Sequence, residues 1–152
     1  MNNNFTMILI GRSSAGKTTF CQRFNKEDII YHKTQTIHIE NGNIIDTPGE
    51  YLERVRMRGA LMVASADADI IVLVQDALEG GTMFPPAYAS SFAKSSIGLI
   101  TKIDIATKEQ VAKAKDFLRM AGAEKVFAIS SIKGTGFSEL LDYLDFLSLK
   151  IY

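Results

Sequence analysis

Cysteine is nearly absent from this sequence: Cys21 stands alone, so no internal disulfide can form. No stretch approaches the ~18 consecutive apolar residues that cross a bilayer. The chain opens Met1-Asn2-Asn3-Asn4, without the basic and apolar segments of a secretory leader, and its final Lys150-Ile151-Tyr152 carries no prenylation cysteine. These absences give the expectation of a cytoplasmic protein without a membrane partner. An excess of one charge is lacking too: 17 Lys and Arg stand against 17 Asp and Glu, so nucleic acid is not an expected partner. His32 and His38 have no metal-ligand spacing to any Cys or His. With no internal repeat, linker or composition shift, residues 1–152 are expected to form a single domain.

What is present is ordinary globular composition, 47% apolar and 22% charged, enough to fold throughout. Phe5 to Ile10 reads as a strand, followed by a Gly-rich loop and a helix from Thr18 to Phe24. Asn25 to Lys33 is polar and reads as a loop. Thr36 to Glu40 and Asn43 to Asp46 flank Asn41-Gly42, which predicts an antiparallel hairpin. Leu52 to Ala64 predicts a helix. Ile70 to Val74, Ile97 to Ile100 and Val126 to Ile129 are runs typical of strands buried on both faces. Gly80 to Pro86 is a surface loop before a short helix; Thr107 caps a helix to about Ala121, and a last helix runs from about Gly136 to Leu149. The alternation predicts an α/β fold: a three-layer α/β/α domain with a mostly parallel six-stranded sheet and one antiparallel strand.

Gly11-Arg12-Ser13-Ser14-Ala15-Gly16-Lys17-Thr18 fits G-x-x-x-x-G-K-[ST] between a strand and a helix, where a phosphate-wrapping loop must sit. Loop amides from Gly11, Ser13, Ser14, Ala15 and Gly16, with Thr19 at the helix start, are the expected phosphate contacts. Lys17 is expected to bridge β- and γ-phosphates, and the Thr18 hydroxyl to ligate Mg²⁺. Asp46-Thr47-Pro48-Gly49 follows a strand, so Asp46 projects where open sheets bind ligands, as a second Mg²⁺ contact. Gly49 would bring its backbone N–H to a γ-phosphate. Thr101-Lys102-Ile103-Asp104 and Ser130-Ser131-Ile132 end two further strands at the same edge. A carboxylate at Asp104 accepts from both the ring N–H and the exocyclic amine of guanine, which adenine cannot supply, and Lys102 would lay its stem along the base.

With those four segments in order along nearly the whole chain, and room for a fifth between the first two, the sequence resembles the translation-factor-related small GTPases. The resemblance implies GTP and GDP as ligands with Mg²⁺, and assigns the switch-one threonine, which closes on metal and γ-phosphate, to Thr34, with Thr36 as fallback. It makes Thr101, Lys102, Asp104, Ser130, Ser131 and Ile132 the base-binding set. Thr101 replaces the family's usual Asn, removing an amide that ties the base loop to the phosphate loop. More narrowly, the small size, Lys33-Thr34-Gln35 before a short hairpin, and Asp46 to Tyr51 resemble the ethanolamine- and propanediol-utilisation family EutP/PduV. That resemblance implies protein partners in a bacterial metabolic microcompartment.

Catalysis is expected to rest on Lys17, Thr34 and Glu50. Glu50 stands where many small GTPases carry a water-orienting Gln, and would orient water while repelling a γ-phosphate, so turnover is expected to be slow. Arg54, Arg56 and Arg58 read as a solvated face, and Cys21 as core. Tyr51, Phe84 and Tyr88 read equally as packing or partner contacts. Three functions stay open: a slow GTPase switch, a kinase using ATP or GTP to phosphorylate a small carboxylate such as acetate, and a nucleotide-binding microcompartment component without turnover.

Overall fold

Runs of apolar, mostly β-branched residues become strands because each can bury side chains on both faces of a sheet. The computed structural model describes residues 5–33 and 43–151. Its strands are β1 (Thr6–Ile10), β2 (Asn43–Asp46), β3 (Ile70–Asp76), β4 (Ser95–Thr101) and β5 (Lys125–Ala128). They form one sheet in the order β2-β1-β3-β4-β5, with every pairing parallel. The antiparallel strand expected over residues 36–40 lies outside the described residues.

Alternation along the strands divides the core. Met7 and Leu9 of β1, with Ile70, Val72 and Val74 of β3, pack beneath Phe20 and Phe24 of α1 (Lys17–Lys33) and beneath Phe137, Leu140 and Leu144 of α5 (Phe137–Ile151). Ile8, Ile10, Ile71 and Leu73 face the opposite side. There they meet Leu52 of α2 (Glu50–Glu53), Leu61 of α3 (Arg58–Ser65) and Leu118 of α4 (Lys108–Met120). Helices therefore cover both faces, as the α/β reading expected. Phe84 is buried and Tyr88 half-buried in this second cluster, which makes them packing residues.

Two local readings are corrected. Residues 25–33, expected as a loop, continue α1 to Lys33. Polarity alone does not stop a helix: the segment has no Gly or Pro, and Arg23 pairs with Glu27 at 2.8 Å one turn on. The single helix expected from Leu52 to Ala64 is broken instead. Arg54 is extended (φ −104°, ψ 113°), a 3₁₀ turn spans Val55–Met57, and α3 starts afresh at Arg58. Arg58 is not part of a solvated face; its Nε donates to the Leu52 carbonyl at 2.7 Å, satisfying a group the break leaves free. Thr107 caps α4 as expected, its reciprocal partner being Gln110. No helix among the described residues is long and apolar enough to cross a membrane.

From β1 the chain's neighbours lie on both sides, β2 to one and β3 to the other. The loop after β1 thus emerges at the point where strand order reverses, the crevice in which such sheets take ligands.

Candidate nucleotide site

Gly11 leaves β1 packed so tightly under β3 that a Cβ would sit 2.7 Å from the Val74 carbonyl oxygen. The chain then turns, the Ala15 N–H donating to the Arg12 carbonyl, and passes through left-handed backbone at Ser14 (φ 67°) and Gly16 (φ 97°) before α1 begins at Lys17. The turned loop and the start of α1 border a cleft of ≈ 560 Å³, whose walls include Ser13, Ser14, Lys17, Thr18, Asp46, Gly49 and Lys102. Gly11 and Ala15 lie beneath the loop, both buried, and set its shape from below.

Lys17 is 7% exposed, and its Nζ donates to the carbonyls of Gly11 (2.7 Å) and Arg12 (2.9 Å). Burial lowers its pKa, against the pull of Asp46 and Glu53. The Thr18 hydroxyl donates to Asp46 at 3.2 Å, so the two expected metal contacts meet. Thr47 is buried and pins their segment to β1 by donating to the Leu9 carbonyl at 2.7 Å. Gly49 presses against the loop: a Cβ there would fall 2.1 Å from the Ser13 amide nitrogen. Its φ of −58° is ordinary, so glycine is required here by close approach alone. Thr34 and Thr36 lie outside the described residues.

Glu50 is exposed at the start of α2. The acid that touches the loop is Glu53, one turn on, whose carboxylate accepts from the Ser13 N–H at 2.6 Å. That amide holds the Glu53 pKa below the usual carboxylate range. Across the loop from the first cleft lies a second of ≈ 490 Å³, bordered by Arg12, Ser13, Ser14, Glu53, Asp76, Leu78 and Glu79. Arg12 pairs there with Glu79 at 3.2 Å, and burial raises the Glu79 pKa. Sequence reading missed Glu53, Asp76 and Glu79. Only Asp76 carried a signal, as the last residue of a buried strand at the ligand-binding edge.

On the other flank, Gly16, Thr19, Thr101, Lys102, Asp104, Ser131 and Ile132 border a cavity of ≈ 110 Å³. Gly16, Thr19 and Lys102 also border the first cleft, so the two are adjacent. Thr101 does not lose the tie to the phosphate loop. It is 2% exposed, and its hydroxyl donates to the Ala15 carbonyl at 2.7 Å, making with one short donor the link expected to need an amide. Lys102 adopts φ 65°, which aims its Nζ at the Ser14 carbonyl (2.9 Å) and Asp76 (2.7 Å). Two left-handed non-glycine residues are thereby bonded to one another, a strained pair held by its surroundings.

Ser130 is fully buried behind the cavity and shapes the turn, its hydroxyl accepting from the Lys133 N–H. Ser131 Oγ is buried in the wall with no hydrogen-bond partner among the described residues, while Ile132 is exposed. Arg23 reaches from α1 to donate to the Ile132 carbonyl at 2.9 Å, and a Cβ on Gly134 would collide with its guanidinium. The structure therefore brings most of the expected residues it describes to two adjoining cavities, Ser13, Ser14, Gly16 to Thr19, Asp46 and Gly49 around one and Thr101, Lys102, Asp104, Ser131 and Ile132 around the other, while Gly11, Ala15 and Ser130 are buried behind them and Glu50 borders neither.

Among known proteins, the propanediol utilization protein PduV of Citrobacter freundii is 38% identical over 139 residues, which is 91% of this chain and 92% of that one. The probable acetate kinase EutP of Escherichia coli K12 is 29% identical over 91% of this chain and 87% of its own. The translation elongation factor SelB of Methanococcus maripaludis, solved with the GTP analogue GppNHp, superposes with a TM-score of 0.64 at 21% identity over 93% of this chain and 33% of that one. That likeness fixes the fold as that of a P-loop GTPase domain. The PduV-EutP family, described as ethanolamine utilisation and propanediol utilisation, matches residues 4–146, and the chain belongs to it.

Proposed function

We propose that this chain binds a guanine nucleotide with Mg²⁺ across the two adjacent cavities and hydrolyses GTP slowly, acting as a switch or accessory factor in ethanolamine or propanediol utilisation. The observation that carries this reading is their adjacency. The cleft along the phosphate loop shares Gly16, Thr19 and Lys102 with a cavity that has Asp104 on its wall. Phosphates suit the loop amides and Lys17; a base with a ring N–H beside an exocyclic amine suits an acceptor-only carboxylate. The hydroxyl and carboxylate of Thr18 and Asp46, 3.2 Å apart, are the hard oxygen donors Mg²⁺ prefers. Among the described residues no three His, Cys, Asp or Glu gather as ligands, so phosphate and water would complete the shell. When bound, the ion neutralises charge on the phosphate oxygens. Lys17 would swing from the Gly11 and Arg12 carbonyls to phosphate, and because it is already buried it has little solvent to shed. Hydrolysis would be slow because Glu50 is exposed and Glu53 sets a negative charge on the loop.

A second reading, phosphoryl transfer to a small carboxylate, is favoured by the relative named as a probable acetate kinase. The cleft across the loop is where an acceptor would enter. It presents Glu53, Asp76 and Glu79; Lys102 pairs with Asp76 and Arg12 with Glu79, so Glu53 is left as the unpaired charge there among the described residues, and it repels an anion. The GTPase reading is therefore preferred.

Titration of nucleotide-free protein with fluorescent GDP and ADP in Mg²⁺, then phosphate release from GTP and ATP with and without acetate, separates the two. Guanine preference with acetate-independent release supports the first; acetate-dependent transfer establishes the second. Lys17→Ala should abolish phosphate binding and Asp104→Asn should loosen guanine preference. Retained GTP affinity in Lys17→Ala would sink the site assignment.

A further inference from the structure

Ser13 borders both clefts, so its amide lies on the ridge between them. It is remote from the base cavity, whose walls begin at Gly16 and Thr19, and stands with Gly49 at the end of the first cleft that a terminal phosphate would reach. That amide is already engaged, donating to Glu53 at 2.6 Å from the far side of the ridge. Among the described residues Glu53 forms no ion pair; Arg12 pairs with Glu79 and Lys17 donates to two carbonyls, and both act on Glu53 only through their nearby charge.

The backbone that carries Glu53 is also firmly seated. Leu52 beside it is 1% exposed in the core, Arg58 fixes the Leu52 carbonyl, and Gly49 leaves no room for movement toward the loop. We propose that Glu53 is a specificity-determining residue of the phosphate site, holding the Ser13 amide and setting its charge against a third phosphate, so that diphosphate is favoured over triphosphate. This rests on the nucleotide reading above. A diphosphate that leaves the Ser13 end of the cleft unfilled tolerates the carboxylate. A triphosphate brings further negative charge to it and competes for the same amide. Accommodating the third phosphate then requires the Glu53 carboxylate to leave the Ser13 amide.

The test is titration of wild type, Glu53→Gln and Glu53→Ala with labelled GDP and a non-hydrolysable GTP analogue in Mg²⁺. Glutamine keeps the length and one acceptor while removing the charge. Glu53→Gln should bring the triphosphate-to-diphosphate Kd ratio down about tenfold, almost wholly by tightening triphosphate, and Glu53→Ala should do so at least as far. A wild type that binds both ligands, with a ratio unchanged in both variants or with both affinities falling in parallel, overturns this inference and leaves the nucleotide reading standing. A wild type that binds neither ligand overturns the nucleotide reading itself, and this inference with it.

Discussion

The hydroxyl of Thr101 donates to the carbonyl of Ala15 at 2.7 Å, joining the end of β4 to the floor of the phosphate loop across 86 residues of sequence. Both residues are buried, so removing the donor leaves a carbonyl without its partner and without water. Thr101→Val, nearly isosteric, should cost about 1–3 kcal/mol of stability and weaken nucleotide binding about tenfold. Thr101→Ser should keep most of both. Thermal melts and calorimetric titration with GDP check the pair; a valine variant that binds as wild type would show the link to be idle.

Gly49 should not tolerate a side chain. Gly49→Ala drives a methyl group into backbone at Ser13 and Arg12, neither of which is a flexible side-chain tip. The Asp46 segment must then back away from the loop. Triphosphate affinity is expected to fall at least tenfold. Diphosphate affinity should fall less, which equilibrium binding of the two nucleotides would show.

Arg23 holds the Ile132 carbonyl from α1 and so positions the backbone expected to meet the base. Arg23→Met keeps the stem and removes the donors. Guanine nucleotide should bind some three- to tenfold more weakly, as for loss of one partly exposed charge-assisted bond. The discriminating measurement is the ratio of GDP to ADP affinity, since a backbone N–H meets the 6-oxo group that adenine lacks; a purely structural role in α1 would not move it.

Cys21 packs half-buried against the core, and its thiol pKa is pushed up to about 11, first by burial and then by the charge of Asp46. The folded chain should resist alkylation at neutral pH while the unfolded chain reacts readily. A folded pKa above the ordinary 9.0 means the folded state keeps its proton longer. Its stabilising share is therefore complete below 9.0 and lost as pH rises through about 11. Denaturant melts of wild type and Cys21→Ala across that window should diverge, wild type falling more steeply.

Much of the site was legible because its parts are contiguous in sequence. A strand, a Gly-rich turn and a helix start are local events, so Gly11 to Thr18 could be read with its context, and Asp46 and Asp104 by their places at strand ends. Residues 25–33 misled because polarity was taken for a loop, when a helix needs only the absence of breakers and one exposed face. No Gly or Pro stands at the break at Arg54 to announce it, and Arg58 steadies it by donating to the Leu52 carbonyl, a contact the sequence does not show.

By itself the sequence determined the α/β layering, the phosphate loop and which strand ends carry polar residues, since these follow from periodicity and from turns spanning a few residues. Only the tertiary structure decided which acid touches the loop and what replaces the missing asparagine. Glu53 meets Ser13 across 40 residues, Lys102 meets Asp76 across 26, and Arg23 meets Ile132 across 109. Such contacts depend on strand order and helix placement, set by burial on both faces of the sheet. No local pattern encodes them.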